Sequence, residues 1–365
     1  MPLKPKPWIA NAMPAPHGGP LAAEMEALGL SPEDVVDFSV NINPFGPPPG
    51  VREAVATAAM ERYPDAEATG LRRLLASRLG VGTDNLMAGN GATELIRLAA
   101  QCYLGPGDTA IIPQPAFGEY EVACSLAGAR VLKPWGREEA GFLPDVTVLV
   151  DMVRRNRSHV LFLGNPANPA GSYLDWGAIE TLLDADPCCL VAVDEAFISF
   201  VEAAWPSPEF VRYPNLVLLR SMTKDYSLAG LRLGYTVASA PVTAVLRRGC
   251  PPWNVNAAAL AAGEAALKED GFLKDSMRRV REVKELLAAG LSGLGLTPVI
   301  SPAPFIIVKV GDAARVRRSL LQQGILVRDC ASFGLPDYIR LGPRPVADCR
   351  RLIKALAQVM RASHA

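Results

Sequence analysis

The stretch Cys188-Cys189-Leu190-Val191-Ala192-Val193-Asp194 decides the fold class of this 365-residue chain. Positions 188–193 are all apolar, and a carboxylate follows them. A strand with one face in water alternates apolar and polar residues, so an unbroken apolar run is typical of a strand buried on both faces. The stretch therefore predicts an α/β fold, in which helices cover both sides of a mostly parallel sheet and ligands bind at the carboxyl ends of its strands.

Six further short apolar runs complete a predicted seven-stranded sheet. They are Asn85–Ala88, Thr109–Ile112, Arg130–Leu132, His159–Leu163, Leu216–Leu219 and Tyr235–Ala238. Apolar residues at helical spacing predict two of the covering helices, Ala92–Cys102 and Phe117–Ala127. This alternation of strands and helices defines a large domain that we place at residues 50–250.

Two other regions flank the predicted large domain. Residues 1–49 are rich in proline, notably in Asn41-Ile42-Asn43-Pro44-Phe45-Gly46-Pro47, and predict an arm that lies over the active site and the smaller domain. Residues 251–365 predict a smaller α+β domain, because long helical patterns precede short strands. Its predicted elements are helices Asn256–Lys268 and Gly271–Ala289, strands Phe305–Val310, Ile325–Arg328 and Tyr338–Leu341, and a helix from Val346 onward.

Composition limits the classes of partner. Lys+Arg and Asp+Glu each number 37, so no basic field favours nucleic acid or an anionic membrane, and no segment is apolar enough to span a bilayer. The cysteines lack the spacing of a metal site or a redox dithiol, and we expect buried thiols in a reducing cytosol. They are Cys102, Cys124, Cys188, Cys189, Cys250, Cys330 and Cys349. A cytoplasmic protein with small-molecule ligands is predicted.

Three residues in one order indicate a pyridoxal 5′-phosphate site. Asp194 ends a strand, Lys224 stands in Ser221-Met222-Thr223-Lys224, and Arg232 lies among glycines in Gly230-Leu231-Arg232-Leu233-Gly234. The cofactor needs an amine for its aldehyde, an anion for its ring nitrogen and a cation for its phosphate. Alone, the Asp-Glu pair at 194–195 is more simply a helix cap. The combination favours a cofactor site.

A phosphate-binding turn is predicted at Gly89-Asn90-Gly91-Ala92-Thr93-Glu94. The turn follows a strand and opens a helix, so backbone N–H groups of Gly91 and Ala92 and the hydroxyl of Thr93 can face an anion. Alone, this stretch is more simply a plain helix start, with Thr93 and Glu94 in its first turn. Ser221, Thr223 and Arg232 add further donors near the lysine and favour the phosphate site.

Loops after two neighbouring strands supply the other predicted cofactor contacts. In Asn165-Pro166-Ala167-Asn168-Pro169, the prolines restrict the preceding residues, and the Asn168 amide is placed to bond the cofactor's 3-oxygen. Phe117 or Tyr120 can stack on the ring. For Tyr120, a place in the protein core is as good an interpretation.

Arginines of the smaller domain are the predicted substrate ligands. Arg328 ends a strand, and Arg340 and Arg344 follow in Tyr338-Ile339-Arg340-Leu341-Gly342-Pro343-Arg344. A guanidinium binds a carboxylate or phosphate through paired N–H donors. Arg344 is more simply a solvated surface charge.

Together, these motifs resemble the aspartate-aminotransferase superfamily, the fold-type I pyridoxal-phosphate enzymes, over residues 17 to about 356. The resemblance implies that Lys224 bonds the cofactor, Asp194 pairs with its ring nitrogen, Asn168 contacts its 3-oxygen and Phe117 stacks on the ring. Its phosphate is held by Gly91, Ala92, Thr93, Ser221, Thr223 and Arg232. Tyr63 matches a tyrosine that reaches the phosphate in the neighbouring subunit, so a homodimer with shared active sites is implied.

Within that superfamily the chain resembles the threonine-phosphate decarboxylases most, with the histidinol-phosphate aminotransferases near. The decarboxylase pattern is carried by His17-Gly18-Gly19, by Asp37-Phe38-Ser39-Val40-Asn41-Ile42-Asn43-Pro44, by Pro252-Trp253-Asn254-Val255-Asn256 and by Phe197 in place of a tyrosine. Pro20 departs from the asparagine expected there. The resemblance implies His17, Asn43, Arg328 and Arg340 as substrate ligands.

The implied reaction is decarboxylation of L-threonine O-3-phosphate to (R)-1-amino-2-propanol O-2-phosphate, a step of cobalamin biosynthesis. Transamination of histidinol phosphate or a related substrate, and decarboxylation of O-phosphoserine, remain alternatives. One methyl group supports only modest discrimination between the two phosphoamino acids. The sequence therefore leaves the side chain of the substrate open among these alternatives.

Overall fold

The computed structural model describes residues 3–10, 12–19 and 22–361, and a central sheet organises the larger part of them. Among these residues the sheet has seven strands, in the spatial order Leu86–Gly89, Gly234–Ala238, Leu216–Ser221, Leu190–Asp194, Val160–Gly164, Thr109–Ile111 and Arg130–Leu132. Only Gly234–Ala238 runs antiparallel to its neighbours. The predicted mostly parallel sheet is confirmed.

Both faces of this sheet are buried, as the unbroken apolar runs predict. On strand Leu190–Asp194, Val191 and Val193 belong to one hydrophobic core, and Leu190 and Ala192 belong to a second core on the opposite face. Successive side chains point to opposite faces of a strand, so an apolar run supplies both cores at once. Asp194 is the first residue of this run that carries a charge, and it lies where the strand leaves the sheet.

Helices cover the two faces of the central sheet. They begin and end at Val51–Ala56, Thr69–Leu79, Ala92–Tyr103, Glu119–Ala127, Val146–Asn156, Trp176–Leu183 and Ala240–Gly249. The helix predicted from Phe117 begins two residues later, at Glu119. Phe117 is thereby left in the loop that leads from the sheet, where its ring faces the cavity described below.

The C-terminal region is built around a four-stranded antiparallel sheet, counted over the described residues. Its order is Arg328–Cys330, Leu335–Leu341, Ile306–Lys309 and Pro298–Val299. Its helices are Phe272–Gly293, Ala313–Leu321 and Val346–Arg361. The run predicted as one strand over 325–328 is two strands, because Ile325–Leu326 pairs instead with the arm strand Val36–Asp37.

Two segments pack into the core of a region other than the one in which they were predicted to lie. The helix Ala257–Lys268, predicted as the first of the smaller domain, packs Ala259, Ala262 and Ala266 into the core of the central sheet. From the arm, Phe38 is fully buried in the C-terminal core. Two short arm helices, Pro7–Ala10 and Ala22–Ala27, precede it. No helix among the described residues has the length and apolar content needed to cross a bilayer.

Candidate active site

A cavity of about 370 Å³ lies where the carboxyl ends of the central strands meet the arm and the C-terminal sheet. Most of the residues predicted to bind cofactor or substrate line it. They are His17, Ala92, Thr93, Phe117, Asn168, Asp194, Ser221, Thr223, Lys224, Arg232, Arg328 and Arg340. The edge of a parallel sheet gathers residues that are far apart in sequence, and this explains their convergence.

The predicted phosphate turn forms a cradle at the start of helix Ala92–Tyr103. Gly91 has φ +77°, and a Cβ there would lie 2.6 Å from Nη2 of Arg232, so glycine lets the arginine approach the turn. The hydroxyls of Ser221 and Thr223 lie 2.6 Å apart. One of them donates to the other, and the second proton stays available to an anion. Helix N–H groups, hydroxyls and a guanidinium suit a phosphate.

Asp194 is buried, and each of its two carboxyl oxygens accepts a hydrogen bond. Tyr120 donates its hydroxyl to Oδ2 at 2.7 Å, and the Ala196 N–H donates to Oδ1 at 2.9 Å. Burial raises the pKa of Asp194, while these hydrogen bonds and Lys224 oppose the rise. A carboxylate oxygen accepts more than one hydrogen bond, so this side chain retains capacity for a protonated ring nitrogen.

Tyr120 lies in the protein core, which was one of its two predicted placements, and its hydroxyl makes a contact that the sequence did not indicate. Its ring packs parallel to Phe162 at 5.5 Å between centroids and is buried, although it also lines the cavity, and its hydroxyl bonds Asp194. Burial, the charge of Asp194 and this hydrogen bond keep the pKa of Tyr120 well above its usual value. A tyrosine three residues after Phe117 was the available signal, but its bonding partner lies 74 positions away.

Lys224 follows strand Leu216–Ser221 and is half-buried in the cavity. Burial, then the charges of Arg340 and Arg232, lower its pKa to about 8, while Asp194 acts against them. A larger fraction of this amine is therefore neutral near physiological pH than for an ordinary lysine. Neutral amine is the form that attacks a carbonyl carbon.

Asn43 lies behind Lys224 and is not among the residues that line the cavity. Its N–H donates to the Lys224 carbonyl at 2.8 Å, and its side-chain amide donates to the Asp225 carbonyl and accepts from the Phe45 N–H. These bonds tie the arm to the lysine segment. The structure thus places Asn43 as a backbone support rather than in reach of a substrate.

Buried charged and polar side chains form hydrogen bonds next to Lys224, around Arg220 and Asp225. Arg220 donates from Nε to Glu195 at 2.9 Å and from Nη2 to Ser207, and Glu195 is 1% exposed. Ser199 donates to the Asp225 carboxylate at 2.6 Å, and burial raises the pKa of Asp225 to about 6. No motif of the sequence indicates this network.

The loop after strand Val160–Gly164 carries Asn168 into the cavity. Its side-chain oxygen accepts a hydrogen bond from Nη1 of Arg340, so the amide N–H₂ is the part of Asn168 left to donate. The peptide bonds before Pro115, Pro166 and Pro169 are cis. Asn168 thus links the predicted 3-oxygen contact to the predicted substrate arginine.

Both predicted substrate arginines are bonded to backbone carbonyls from the arm. Arg340 donates to the Ser39 carbonyl at 2.7 Å, and Arg328 donates to the carbonyls of His17 and Pro16, each at 2.9 Å. Burial is the main cause that lowers the pKa of Arg340, to about 10, and also that of Arg328. Because a buried cation is costly, both positions favour an anionic ligand.

Tyr63 lies outside the cavity of its own chain. The side chain is 77% exposed and stacks on Trp253 at 4.5 Å between ring centroids. An aromatic pair on the surface is the placement that a contact with another subunit requires, and the shared site stays a prediction.

Two other expectations differ from the structure. Cys188 is exposed, in the turn before strand Leu190–Asp194, and Cys102 and Cys250 are partly buried, so the expectation of buried thiols was wrong for these three positions. Arg344, expected in solvent, is half-buried, and burial lowers its pKa. Pro20 lies outside the described residues.

Comparisons with known proteins agree with this geometry. The model of the family "Aminotransferase class I and II" matches residues 33–356. A histidinol-phosphate aminotransferase of Thiobacillus denitrificans is 35% identical over 98% of this chain and 94% of its own length. One from Symbiobacterium thermophilum is 37% identical over 95% of this chain and 96% of its own.

Solved structures show the same fold. Histidinol-phosphate aminotransferase from Sinorhizobium meliloti, in complex with pyridoxal 5′-phosphate, has a TM-score of 0.89 and 25% identity over 98% of this chain and 97% of its own. L-threonine-O-3-phosphate decarboxylase from Porphyromonas gingivalis has a TM-score of 0.78 and 25% identity over 89% and 99%.

The residues present fit pyridoxal 5′-phosphate. The cradle has no side chain at Gly91 to block a phosphate, Asp194 is an anion for the ring nitrogen, and Lys224 supplies an amine. The chain is therefore a pyridoxal-phosphate enzyme of fold type I, and it belongs to the aminotransferase class I and II family.

Proposed function

We propose that this enzyme transfers the amino group of a small phosphorylated substrate, with histidinol phosphate as the first candidate. Two relatives of that name, 35% and 37% identical over nearly the whole chain, support this reaction. The sequence-based preference for decarboxylation becomes the second candidate.

The observation that carries the substrate class is the excess of cations around the cavity. Among the described lining residues, Lys224, Arg232, Arg328 and Arg340 carry positive charge, and Asp194 alone is an acid. Arg232 belongs to the phosphate cradle and Lys224 to the covalent site. Arg328 and Arg340, from the C-terminal sheet, are left for anionic groups of the substrate.

The chain's own residues have distinct roles in this reaction. When bound, the cofactor supplies a protonated ring that withdraws electrons from the bonds at Cα. Asp194, steadied by Tyr120, holds the proton on the ring nitrogen. Lys224, with a pKa of about 8, can accept the Cα proton and return it near neutral pH. Arg328 and Arg340 orient the substrate and so select which Cα bond breaks.

Decarboxylation of L-threonine O-3-phosphate is retained because of Phe197. This residue is buried, lines the cavity and has no hydroxyl to donate to the cofactor's 3-oxygen. The arm sequence and the resemblance to threonine-phosphate decarboxylases support the same reaction. O-phosphoserine is the related substrate that one methyl group does not exclude.

One experiment separates the candidates. Purified holoenzyme is given histidinol phosphate with 2-oxoglutarate, and separately L-threonine O-3-phosphate or O-phosphoserine with no acceptor, and products are identified by mass spectrometry. We expect glutamate only in the first reaction. Carbon dioxide and the phosphorylated amino alcohol without an acceptor would instead establish decarboxylation. The Lys224→Ala variant controls for background, and borohydride reduction should fix the cofactor at Lys224.

We also infer a homodimer, on the strength of the exposed surface around Tyr63. Met60 is 95% exposed and Trp253 is 46% exposed, and both line the same groove as Tyr63. A patch of this kind is typical of an interface. Light scattering after size exclusion should give twice the mass of 38.9 kDa. A monomer at micromolar concentration would refute the dimer.

A further inference from the structure

Glu119 is a buried carboxylate beside the cavity that the proposed chemistry does not use. It lies in the first turn of helix Glu119–Ala127, and its side chain is 6% exposed. One oxygen lies 2.9 Å from Nε2 of His17, and the other accepts from Nη2 of Arg97 at 3.2 Å. Burying a carboxylate is costly unless it is paired. Two partners pair Glu119 here, and this arrangement beside the cavity indicates a role for its carboxylate.

Its partner His17 belongs to a short arm segment, residues 15–19, of which Pro16, His17 and Gly18 line the cavity. Arg328 binds the carbonyls of Pro16 and His17. The Gly19 N–H donates to Oγ of Ser39 at 2.8 Å. The backbone of this segment is thus fixed by both the arm and the C-terminal sheet.

Close backbone contacts fix the same segment on its other side. A Cβ on Gly118 would lie 2.7 Å from the Ala15 methyl, and a Cβ on Gly18 would lie 2.6 Å from the Ser39 carbonyl oxygen. Glycine at positions 18 and 118 therefore allows the close approach of this segment to its neighbours. Its one side chain with polar atoms at the cavity is the imidazole of His17.

The imidazole itself depends on Glu119 for its orientation. The His17 side chain is 53% exposed, and its ring is tilted against Phe117 at 5.8 Å, a contact that does not fix a ring. A carboxylate at Nε2 selects the form with the proton on that nitrogen. Nδ1 then remains for a ligand, and it donates to an anion when the ring is protonated. Arg328 and Glu119 are charged groups that bond this segment, and Arg97 bonds Glu119 from the other side.

We propose that Glu119 is a positioning residue that acts through His17, holding the imidazole so that Nδ1 meets the phosphate of the substrate. The inference rests on the proposed phosphorylated substrate and adds a determinant of specificity to it. Glu119 supplies the counter-charge at one nitrogen while the phosphate approaches the other. His17 and Arg328 then bind that phosphate from the arm and from the C-terminal sheet.

Steady-state kinetics test the proposal with a phosphorylated substrate and its dephosphorylated analogue, such as histidinol phosphate and histidinol. In Glu119→Ala we expect the KM of the phosphorylated substrate to rise about tenfold, as for loss of one charged hydrogen bond, with kcat within about twofold. Glu119→Gln, which keeps an acceptor, should show a smaller rise. The analogue's KM should not change.

Two further variants make the result decisive. Glu121→Ala is the matched control, since it removes a carboxylate from the same helix that pairs with Lys133 at the surface. It should behave as the wild type. The double variant His17→Ala with Glu119→Ala should be no worse than His17→Ala alone. An additive loss, or an equal loss for both substrates, would overturn the proposal.

Nitrogen NMR of the imidazole keeps the test independent of turnover. The chain has three histidines, so the His17 signals can be assigned by substitution. In holoenzyme we expect a proton on Nε2, and inorganic phosphate should shift Nδ1 in the wild type and not in Glu119→Ala. If no phosphorylated substrate is turned over, the proposed function fails while this spectrum still decides the role of Glu119. Identical spectra in the wild type and Glu119→Ala would refute that role.

Discussion

The amine of Lys224 in the cofactor-free enzyme should titrate near pH 8, and removing a neighbouring positive charge should move that pKa upward. Burial is the first cause of its lowered pKa, and Arg340 and Arg232 follow. The informative perturbations are Arg340→Met and Arg232→Met, which keep an unbranched side chain and delete the charge. Because like charges disfavour a protonated amine, both variants should raise the pKa of Lys224.

The expected sizes follow from the structure. A pKa lowered from 10.5 to about 8 corresponds to roughly 3 kcal/mol in favour of the neutral amine. At about pH 7.5, about a quarter of Lys224 is then neutral, against about 0.1% for an ordinary lysine. Arg340→Met should raise the pKa of Lys224 by on the order of one unit. The pKa should stay below that of an ordinary lysine, because burial still disfavours the charged amine. Arg232 is exposed and screened, so its effect should be smaller.

The same lowered pKa makes the stability of the cofactor-free enzyme depend on pH. Between about pH 8 and pH 10.5 the unfolded chain holds a proton on Lys224 that the folded protein has lost. Folding is therefore favoured more as pH rises through that window, and the contribution is unfavourable below it. Denaturant unfolding of the wild type and of Lys224→Met at several pH values should show this rise as a difference between the two proteins, because the other groups that titrate in this range, such as Lys284, are common to both.

Competitive labelling measures the titration without the cofactor. The apoenzyme is exposed briefly to an amine-reactive reagent from about pH 6 to about pH 11, and the peptide containing Lys224 is quantified by mass spectrometry. The peptide containing the exposed Lys354 controls for reagent and yield. Half-maximal labelling of Lys224 near pH 10.5 in the wild type, or a lower midpoint in Arg340→Met, would show that this reasoning about burial and charge is wrong.

Three further predictions test the residues around this lysine. Tyr120→Phe removes a donor from Asp194, so we expect kcat to fall about tenfold with cofactor still bound, and unchanged kinetics would contradict the role of the hydroxyl. Arg220→Met leaves the buried Glu195 carboxylate without its cationic partner. Urea titrations should therefore show the free energy of unfolding lowered by about 3–5 kcal/mol, and a loss below about 1 kcal/mol would mean that the pair is dispensable. Gly91→Ala places a Cβ against the cradle arginine at φ +77°, so equilibrium dialysis should show cofactor affinity weakened about tenfold or more; wild-type affinity would argue against the cradle.

The sequence predicted the central sheet well because its signal is local. Each buried strand needs an unbroken apolar run, and these runs locate the strands to within two residues. The boundary after residue 250 was less well placed. The helix Ala257–Lys268 has an apolar pattern that indicates burial, and a pattern does not say which core receives it.

The candidate site also contains some residues that the sequence identified and others whose contacts only the structure shows. Lys224, Asp194 and Arg232 could be singled out because cofactor chemistry demands an amine, an acid and a phosphate ligand at strand ends. Tyr120 was singled out only as a stacking or core aromatic, and Glu119 was not singled out, because their contacts are hydrogen bonds to Asp194 and His17, which are distant in sequence. Hydrogen bonds require distances near 3 Å, and residue type alone does not report them.

By itself, then, the sequence determined the layered α/β architecture and the cofactor's principal ligands, since periodicity and residue chemistry are properties of the chain. Tertiary structure alone decided which groups surround them. It placed Asn43 behind Lys224 rather than in the cavity, and it brought the arm carbonyls of Pro16 and His17 to Arg328. Such contacts join residues up to 312 positions apart, and only packing of the whole chain fixes them.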